Sequence, residues 1–201
     1  VDQKLVAVAV ELLDEEGWPA LSLDRIAERA GVSRATVWRH GLTRASVEAL
    51  LRRRLVADYR ELMWAPLTMD GSGRDRLTAA LHSLCAVAER NLPLLAHTEE
   101  AFHGPDLDGV GEQLDFFGPW LRILEAGAAD STLDPPEDRE RYVVALTNLT
   151  LLTYVHLRAF HGPYGWTAAS TADCLIDLLA SGYRQDLSGC RPGGGPGRRR
   201  R

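Results

Sequence analysis

From Ser33 to His40 the chain reads Ser-Arg-Ala-Thr-Val-Trp-Arg-His, which packs two guanidiniums, two hydroxyls, an imidazole and an indole N–H into eight residues. Donors at this density suit an acidic polymer, because a guanidinium pairs with phosphate or, bidentately, with a guanine edge, and a hydroxyl donates to a phosphate oxygen. Arg34 and Arg44 add a second sign. Each follows a hydroxyl residue, Ser33 or Thr43, that would cap a helix. Each arginine therefore takes a first helical position, where the helix dipole disfavours a cation. An anion docked on the free N–H groups of those helix starts repairs the mismatch. The plainer alternative, two solvated arginines, is the weaker one given the surrounding pattern.

Other chemistries find no support. There is no Gly-rich phosphate loop, no nucleophile elbow and no zinc-ligand spacing, so an enzyme is not expected. His97, Glu100 and His103 carry ligating atoms, but the two histidines are six apart and diverge on a regular helix, so no metal and no cofactor is expected. Three cysteines, Cys85, Cys174 and Cys190, include no C-x-x-C pair, which makes a reducing cytoplasm the simplest home. The apolar run Leu5 to Val10 is too short for a signal-peptide core, and no uninterrupted apolar run approaches a membrane span.

The elements that must hold the donors are helical. Leu5, Ala9, Leu12 and Leu13 repeat at helical spacing and predict a first helix over 2–16. Ser22 caps a short helix through Ala30, with Leu23, Ile26, Ala27 and Ala30 as its inner stripe and Gly31 as its stop. Ser33 caps the next, Arg34 to His40, ended by Gly41, and Thr43 caps a longer one from Arg44 to about Trp64. Two short helices joined by a tight Gly turn, the second of them basic, describe a helix-turn-helix.

The segment from Gly17 to Leu50 closely resembles the DNA-binding domain of the TetR family of transcriptional regulators. The likeness rests on Ile26-Ala27, Ala30-Gly31-Val32-Ser33, Thr36, Arg39-His40 and Thr43-Arg44 followed by Val47 and Leu50. It implies that Arg34, Ala35, Thr36, Arg39 and His40 lie on the helix that reaches base edges and flanking phosphates, behind the Ser33 cap. Trp38 stands where the family usually has a Tyr, Arg44 replaces its phosphate-binding Lys, and Ser22 with Leu23 replaces the hydroxyl pair that opens the preceding helix. Arg39 is the first candidate for base readout. Gly41 stands where the family commonly has a Phe anchoring the recognition helix, leaving Leu42 or Trp18 to supply that contact. The resemblance further implies a homodimer on double-stranded pseudopalindromic operator DNA, repression as the default, and release by a small-molecule effector of unknown identity. A helix-turn-helix protein that senses no small molecule is the alternative.

The remainder of the chain differs in charge. With 45% hydrophobic and 25% charged residues in 201, disorder is excluded as the main state. The net charge of −5 divides into +1 over residues 1–60, −11 over 61–190 and +5 in the tail. Residues 25–54 alone hold eight arginines against Glu28 and Glu48. A basic reader (1–50, with a connecting helix to about 64) is thus joined to an acidic helical domain (51–187), which DNA repels. The 188–201 Gly/Pro/Arg tail is expected to be disordered, as a solvated end or as a nonspecific hold on phosphates.

After a break marked by Pro66, Gly71 and Gly73, five more helices and no strand pattern make the whole chain all-α. Pro119 predicts a kink in a helix carrying Leu114, Phe117, Leu121 and Leu124. Asp134-Pro135-Pro136-Glu137 predicts the start of a helix that runs to about Phe160, and a last helix spans Ala168 to Tyr183. The helix to Phe160 is apolar nearly all round, which implies a partner on its second side. The candidate dimer residues are Leu149, Leu152 and His156, with Leu175, Ile176, Leu179 and Tyr183 on the last helix. Thr147, Thr150, Tyr154, Arg158 and His161 form a polar stripe, more readily solvated or at a rim than lining a cavity. Met63, Phe102, Phe116, Phe117 and Trp120, with Cys85 and Asn148 at the edge, are candidates for an apolar effector pocket or, more simply, for core.

Overall fold

The computed structural model describes residues 3–17, 21–97, 115–161 and 164–182. Among them every regular element is a helix: α1 (Gln3–Glu16), α2 (Leu23–Ala30), α3 (Arg34–Arg39), α4 (Arg44–Thr68), α5 (Gly73–Arg90), α6 (Leu92–His97), α7 (Gly118–Ala129), α8 (Arg139–His161) and α9 (Ala168–Gly182).

The first four helices close around one apolar cluster. Leu5, Ala9, Leu12 and Leu13 of α1 meet Ile26, Ala27 and Ala30 of α2, Val37 of α3, Leu42, and Val47 and Leu51 of α4. Each fully buried Leu or Val contributes about 1.5–3 kcal/mol by leaving water. Sharp turns keep these short helices at an angle. Gly31 has φ +69°, and Val32 N–H donates to the Ala27 carbonyl at 3.0 Å, a Schellman-type stop. Gly41 repeats the left-handed conformation at φ +69° and turns Leu42 inward, where it is 1% exposed. Of the two candidate anchors, Leu42 is the one seen in the first cluster. Trp18, the other candidate, lies outside the described residues.

Several boundaries differ from expectation. Pro66 does not end α4, which runs on to Thr68. Its ring is buried, and the single Leu62 carbonyl bond that proline forfeits does not outweigh that packing. Pro119 does not kink a helix but lies in the first turn of one, where its missing N–H costs nothing; Asp115 Oδ1 accepts from Gly118 N–H at 2.7 Å just ahead of it. The Asp134-Pro135-Pro136-Glu137 run precedes α8 rather than opening it. Pro136 pushes Pro135 toward extended backbone, and Asp138 becomes the cap, with Oδ1 accepting from Arg141 N–H at 3.1 Å.

A second cluster joins the latter half of α4 (Tyr59, Met63) to α5, α7, Val143 and Leu146 of α8, and Ile176 of α9. A third gathers Cys85, Ala88, Leu95, Tyr154, Val155, Ala172 and Leu175. Both sequence-derived boundaries, residue 50 and residue 60, fall inside the continuous helix α4. Leu55 on that helix packs against all three clusters. Leu94 of α6 crosses in the other direction: it is 1% exposed and belongs to the first cluster, while its neighbour Leu95 belongs to the third.

Candidate nucleic-acid interface

α3 sends one side chain, Val37, fully into the core and leaves its remaining length to solvent. Ser33 caps it: Oγ accepts from Thr36 N–H at 3.1 Å and lies 2.9 Å from Thr36 Oγ1. Arg39 donates to the same Thr36 hydroxyl at 3.2 Å, so cap, hydroxyl and guanidinium form a chain along one edge. Ala35, Trp38, Arg39 and His40 are exposed, Trp38 at 72%. A tryptophan this exposed on a six-residue helix serves no core of its own chain.

The flanking helix starts frame that edge. Ser22 Oγ accepts from Arg25 N–H at 3.2 Å and caps α2, while Leu23 is half-buried against the first cluster and takes a packing role. Thr43 and Ser46 form a reciprocal capping box at the start of α4, at 3.1 and 2.8 Å. Arg44 is the first residue of α4.

The number of arginines overstates the basic surface. Arg25 and Arg29 of α2 are paired with Glu16 and Glu15 at the end of α1, and the Glu15 carboxylate raises the Arg29 pKa. Arg52 pairs with Glu48 at 2.8 Å along α4. Arg34 meets Asp24 of α2, Nη1 to Oδ1 at 3.3 Å, with both side chains about two-thirds exposed. Such exposed pairs contribute about 0–1 kcal/mol and yield readily to a stronger anion. Arg39 is hydrogen-bonded to a neutral hydroxyl and keeps its full charge on the surface. Asp24, Glu15 and Glu16 are residues that sequence reasoning missed. The signal was present: all three lie just ahead of the arginine-rich segment 25–54.

In the larger helical body, the pocket candidates divide. Met63 and Trp120 lie within the second cluster and Cys85 within the third, all at most 2% exposed. Trp120 Nε1 donates to Tyr59 Oη at 2.9 Å, and that hydroxyl donates to the Phe116 carbonyl at 2.6 Å. Burial pushes the Cys85 thiol up to about 12. Phe116 is half-buried on the Tyr59 ring, whereas Phe117 is exposed at its edge. Asn148 does not join them: it is on the outward side of α8 and donates to the Val144 carbonyl. Phe102 lies outside the described residues. A surface cleft of about 490 Å³ opens elsewhere, lined by Arg74, Ala128, Ser131, Thr132, Leu133, Asp134, Pro135 and Arg139.

Thr147, Thr150 and Tyr154 of the α8 polar stripe turn inward, contrary to a solvated reading, while Arg158 and His161 are half-buried further along it. Thr147 and Thr150 are buried and donate back to the Val143 and Leu146 carbonyls, which satisfies them within their own helix. Tyr154 Oη donates to Glu89 Oε2 at 2.9 Å, and Arg158 clasps the same carboxylate through Nε and Nη2 at 2.9 and 2.6 Å. The Arg158 guanidinium holds the Glu89 carboxyl below the ordinary range. The opposite face of α8 is apolar and open, with Val144, Leu149, Leu152 and Phe160 each about 40–60% exposed and His156 among them. Leu175 and Ile176 do not reach that face, because each is 6% exposed in its own chain's core. Leu179 is half-buried, Leu178 is exposed in their stead, and Tyr183 lies outside the described residues. By length and composition α8 could cross a membrane, yet its inward face is committed to protein core. Among the described residues no three His, Cys, Asp or Glu gather as metal ligands; His97 ends α6, and Glu100 and His103 are outside the described residues.

Residues 5–52 match the family model of the bacterial regulatory proteins of the tetR family. No curated protein matches the chain. Solved structures match over nearly its whole length. A transcriptional regulator of the TetR/AcrR family from Thermobifida fusca is 23% identical with a TM-score of 0.66, covering 91% of this chain and 98% of that one. A TetR-like regulator from Rhodococcus is 18% identical at a TM-score of 0.61, covering 90% and 93%. FadR of Thermus thermophilus, a TetR-family repressor in complex with lauroyl-CoA, is 21% identical at 0.55, covering 96% and 99%. At these identities the shared property is the fold: a TetR-type helix-turn-helix carried by a helical domain.

Proposed function

We propose that the chain is a transcriptional regulator of the TetR type that binds double-stranded operator DNA as a homodimer, represses by default, and is released by a small molecule bound in its helical domain. The observation that carries the DNA reading is the solvent edge of α3, where Trp38, Arg39 and His40 are exposed and Thr36 is half-buried beside the Ser33 cap, on a helix anchored by Val37. Arg39 reads a guanine edge and Arg34 exchanges Asp24 for a backbone phosphate, which also relieves the cation at its helix start. Ser22, Ser33 and Arg44 hold flanking phosphates.

The open apolar face of α8 supports the dimer. Val144, Leu149, Leu152 and Phe160, each about 40–60% exposed, recur along one side of α8, and exposed large apolar side chains grouped in this way mark an interaction surface. A second copy packed there would give the assembly two α3 helices. Successive major grooves about 34–36 Å apart then set the operator half-site spacing.

Lauroyl-CoA in the Thermus thermophilus repressor makes acyl-CoA the first ligand class to screen. The dense packing of Met63, Cys85 and Trp120 favours the second reading, a regulator that senses no small molecule.

Selection of duplexes from a random library by the full chain, followed by electrophoretic titration of the enriched sequence, tests the DNA reading. A good bidentate pairing to a base discriminates by about 1–3 kcal/mol, so an Arg39→Ala, Thr36→Ala variant is expected to bind about 5- to 150-fold more weakly. Undiminished affinity in that variant, or no enrichment by the native chain, overturns it. A thermal-shift panel that includes acyl-CoA distinguishes the two effector readings.

A further inference from the structure

The cleft of about 490 Å³ is walled by the start of α5, the turn after α7 and the start of α8. Half-buried Arg139 opens α8 one turn ahead of Val143, which is 0% exposed, so it belongs to the inward side of that helix and not to the side of Leu149 and Leu152. The turn is fastened to α5. Asp130 Oδ2 accepts from Gly73 N–H at 2.7 Å and Thr132 Oγ1 from Arg74 N–H at 3.1 Å, while the Thr132 carbonyl accepts from Arg74 Nε and Nη2 at 3.1 and 2.9 Å. Gly73 is pressed so closely on α7 that a Cβ there would come within 2.1 Å of the Gly127 Cα. Asp75 N–H goes to Ser72 Oγ, so the first N–H groups of α5 are all taken and the cleft is more than a bare helix start. What stays open is side-chain chemistry. Nη1 of Arg74, the Arg139 guanidinium, the Asp134 carboxylate and the Ser131 hydroxyl have no hydrogen-bond or ion-pair partner among the described residues.

We infer that this cleft binds a small organic acid that carries a hydroxyl or ammonium donor beside its acid group. Arg74 and Arg139 outnumber Asp134, so the walls are cationic on balance, although residues 61–190 as a whole carry −11. An oxyanion is therefore attracted at this place and repelled by most of the same domain. Carboxylate and phosphate monoester share the geometry that a guanidinium fork pairs with, and the bonds are charge-assisted. A plain anion would leave Asp134 facing it with like charge, whereas a neighbouring hydroxyl or ammonium group donates to that carboxylate. The volume suits a small molecule. Polar side chains dominate the walls and Leu133 is buried, so a long acyl chain finds no lining here. The inference deepens the proposed sensing role by naming a ligand class, but binding is read without DNA, so its failure leaves the operator reading standing.

Calorimetric titration of the full chain at constant ionic strength with malate, aspartate, glycerol 3-phosphate and succinate tests the site. Succinate lacks the donor and is expected to bind more weakly than malate or aspartate; preference for glycerol 3-phosphate over both would assign the phosphate source within the same class. Arg139→Gln is expected to weaken binding about tenfold or more, the worth of one hydrogen bond to a charged group. Arg141→Gln removes the same charge two residues on, from a side chain that is 87% exposed and paired with Asp138, and should match the native chain. Asp134→Asn should raise the affinity for succinate and so narrow its gap to malate. No heat of binding from any of the four probes, equal weakening by Arg139→Gln and Arg141→Gln, or succinate bound as tightly by the native chain as the donor-bearing acids overturns the inference. The Arg139 guanidinium has no bond within the chain to lose, and matching far-ultraviolet circular dichroism checks that its variant folds.

Discussion

Leu94 ties the helical body to the DNA-binding core, and its removal should be felt far from its place in the chain. It lies on α6, more than forty residues beyond the last residue of the family match at 52, yet it is 1% exposed among leucines of α1 and α4. Leu94→Ala removes about three carbons' worth of transfer free energy, about 2.4 kcal/mol at about 0.8 kcal/mol each, before any cavity term. Buried Leu→Ala changes cost about 2–5 kcal/mol, and a six-residue helix at a cluster's edge can settle partly into the gap, so about 2–3 kcal/mol is expected. For a chain of this size that is a fall in Tm of roughly 5–10 °C. Urea unfolding gives the global figure, and amide hydrogen exchange gives its location. Protection should fall in α1, α2 and α3 for Leu94→Ala, whereas Leu95→Ala, at a residue just as buried but in the third cluster, should loosen α5, α8 and α9 instead. A cost below about 1 kcal/mol, the centre of the distribution for arbitrary substitutions, or identical exchange patterns in the two variants, would refute the shared-core reasoning.

Three further outcomes follow from the same structure. Gly41→Ala should destabilise by roughly 1–2 kcal/mol, because φ +69° is left-handed and no atom lies within 4 Å to obstruct a Cβ, so strain alone sets the cost; Gly41→Asn should recover part of it in thermal denaturation. Leu149→Glu with Leu152→Glu should convert the proposed dimer to a monomer by light scattering at micromolar concentration while leaving helicity unchanged, and a dimer that persists sinks the α8 interface. Arg158 holds the Glu89 carboxyl below its ordinary pKa, so the stability that Glu89 contributes is present above the unfolded carboxylate value, about 4.3, and is lost as pH falls through the lower folded value. The stability gap between the native chain and Glu89→Gln should therefore be open at neutral pH and close in acid.

How legible each part was depended on whether its cause is local. The caps at Ser22, Ser33 and Thr43 and the stops at Gly31 and Gly41 could be read off because each rests on a side chain or φ angle within a few residues of its effect. The α3 edge was legible for the same reason: only Val37 has the type and spacing to reach the core. Pro66, Pro119 and the Asp134-Pro135 run misled because proline announces a helix boundary without saying on which side, and burial of the Pro66 ring is a tertiary fact. The stripe from Thr147 to Arg158 defeats a reading by polarity alone. Its hydroxyls return to their own helix, and its charge meets Glu89, sixty-nine residues away, which no local pattern encodes.

The division of charge shows the same limit and also what it conceals. Eight arginines in residues 25–54 suggested a broadly basic module, but α1 ends in acids that claim Arg25 and Arg29, and α2 begins with one that holds Arg34. The arginines of α2 thus serve to fasten α1 to α2, and Arg39, the last residue of α3, is left with a neutral hydroxyl as its partner. Its guanidinium reaches back to Thr36, which in turn meets the Ser33 cap, so the solvent edge of α3 holds a cation whose partner is a hydroxyl and no carboxylate. On the proposed reading, Asp24 sets a cost on any phosphate that takes Arg34, because its carboxylate must first be displaced. Asp24→Asn should accordingly strengthen binding to random-sequence duplex and to the selected operator by a similar factor, measured by competition titration at fixed salt. No gain on either would assign Asp24 to helix packing alone.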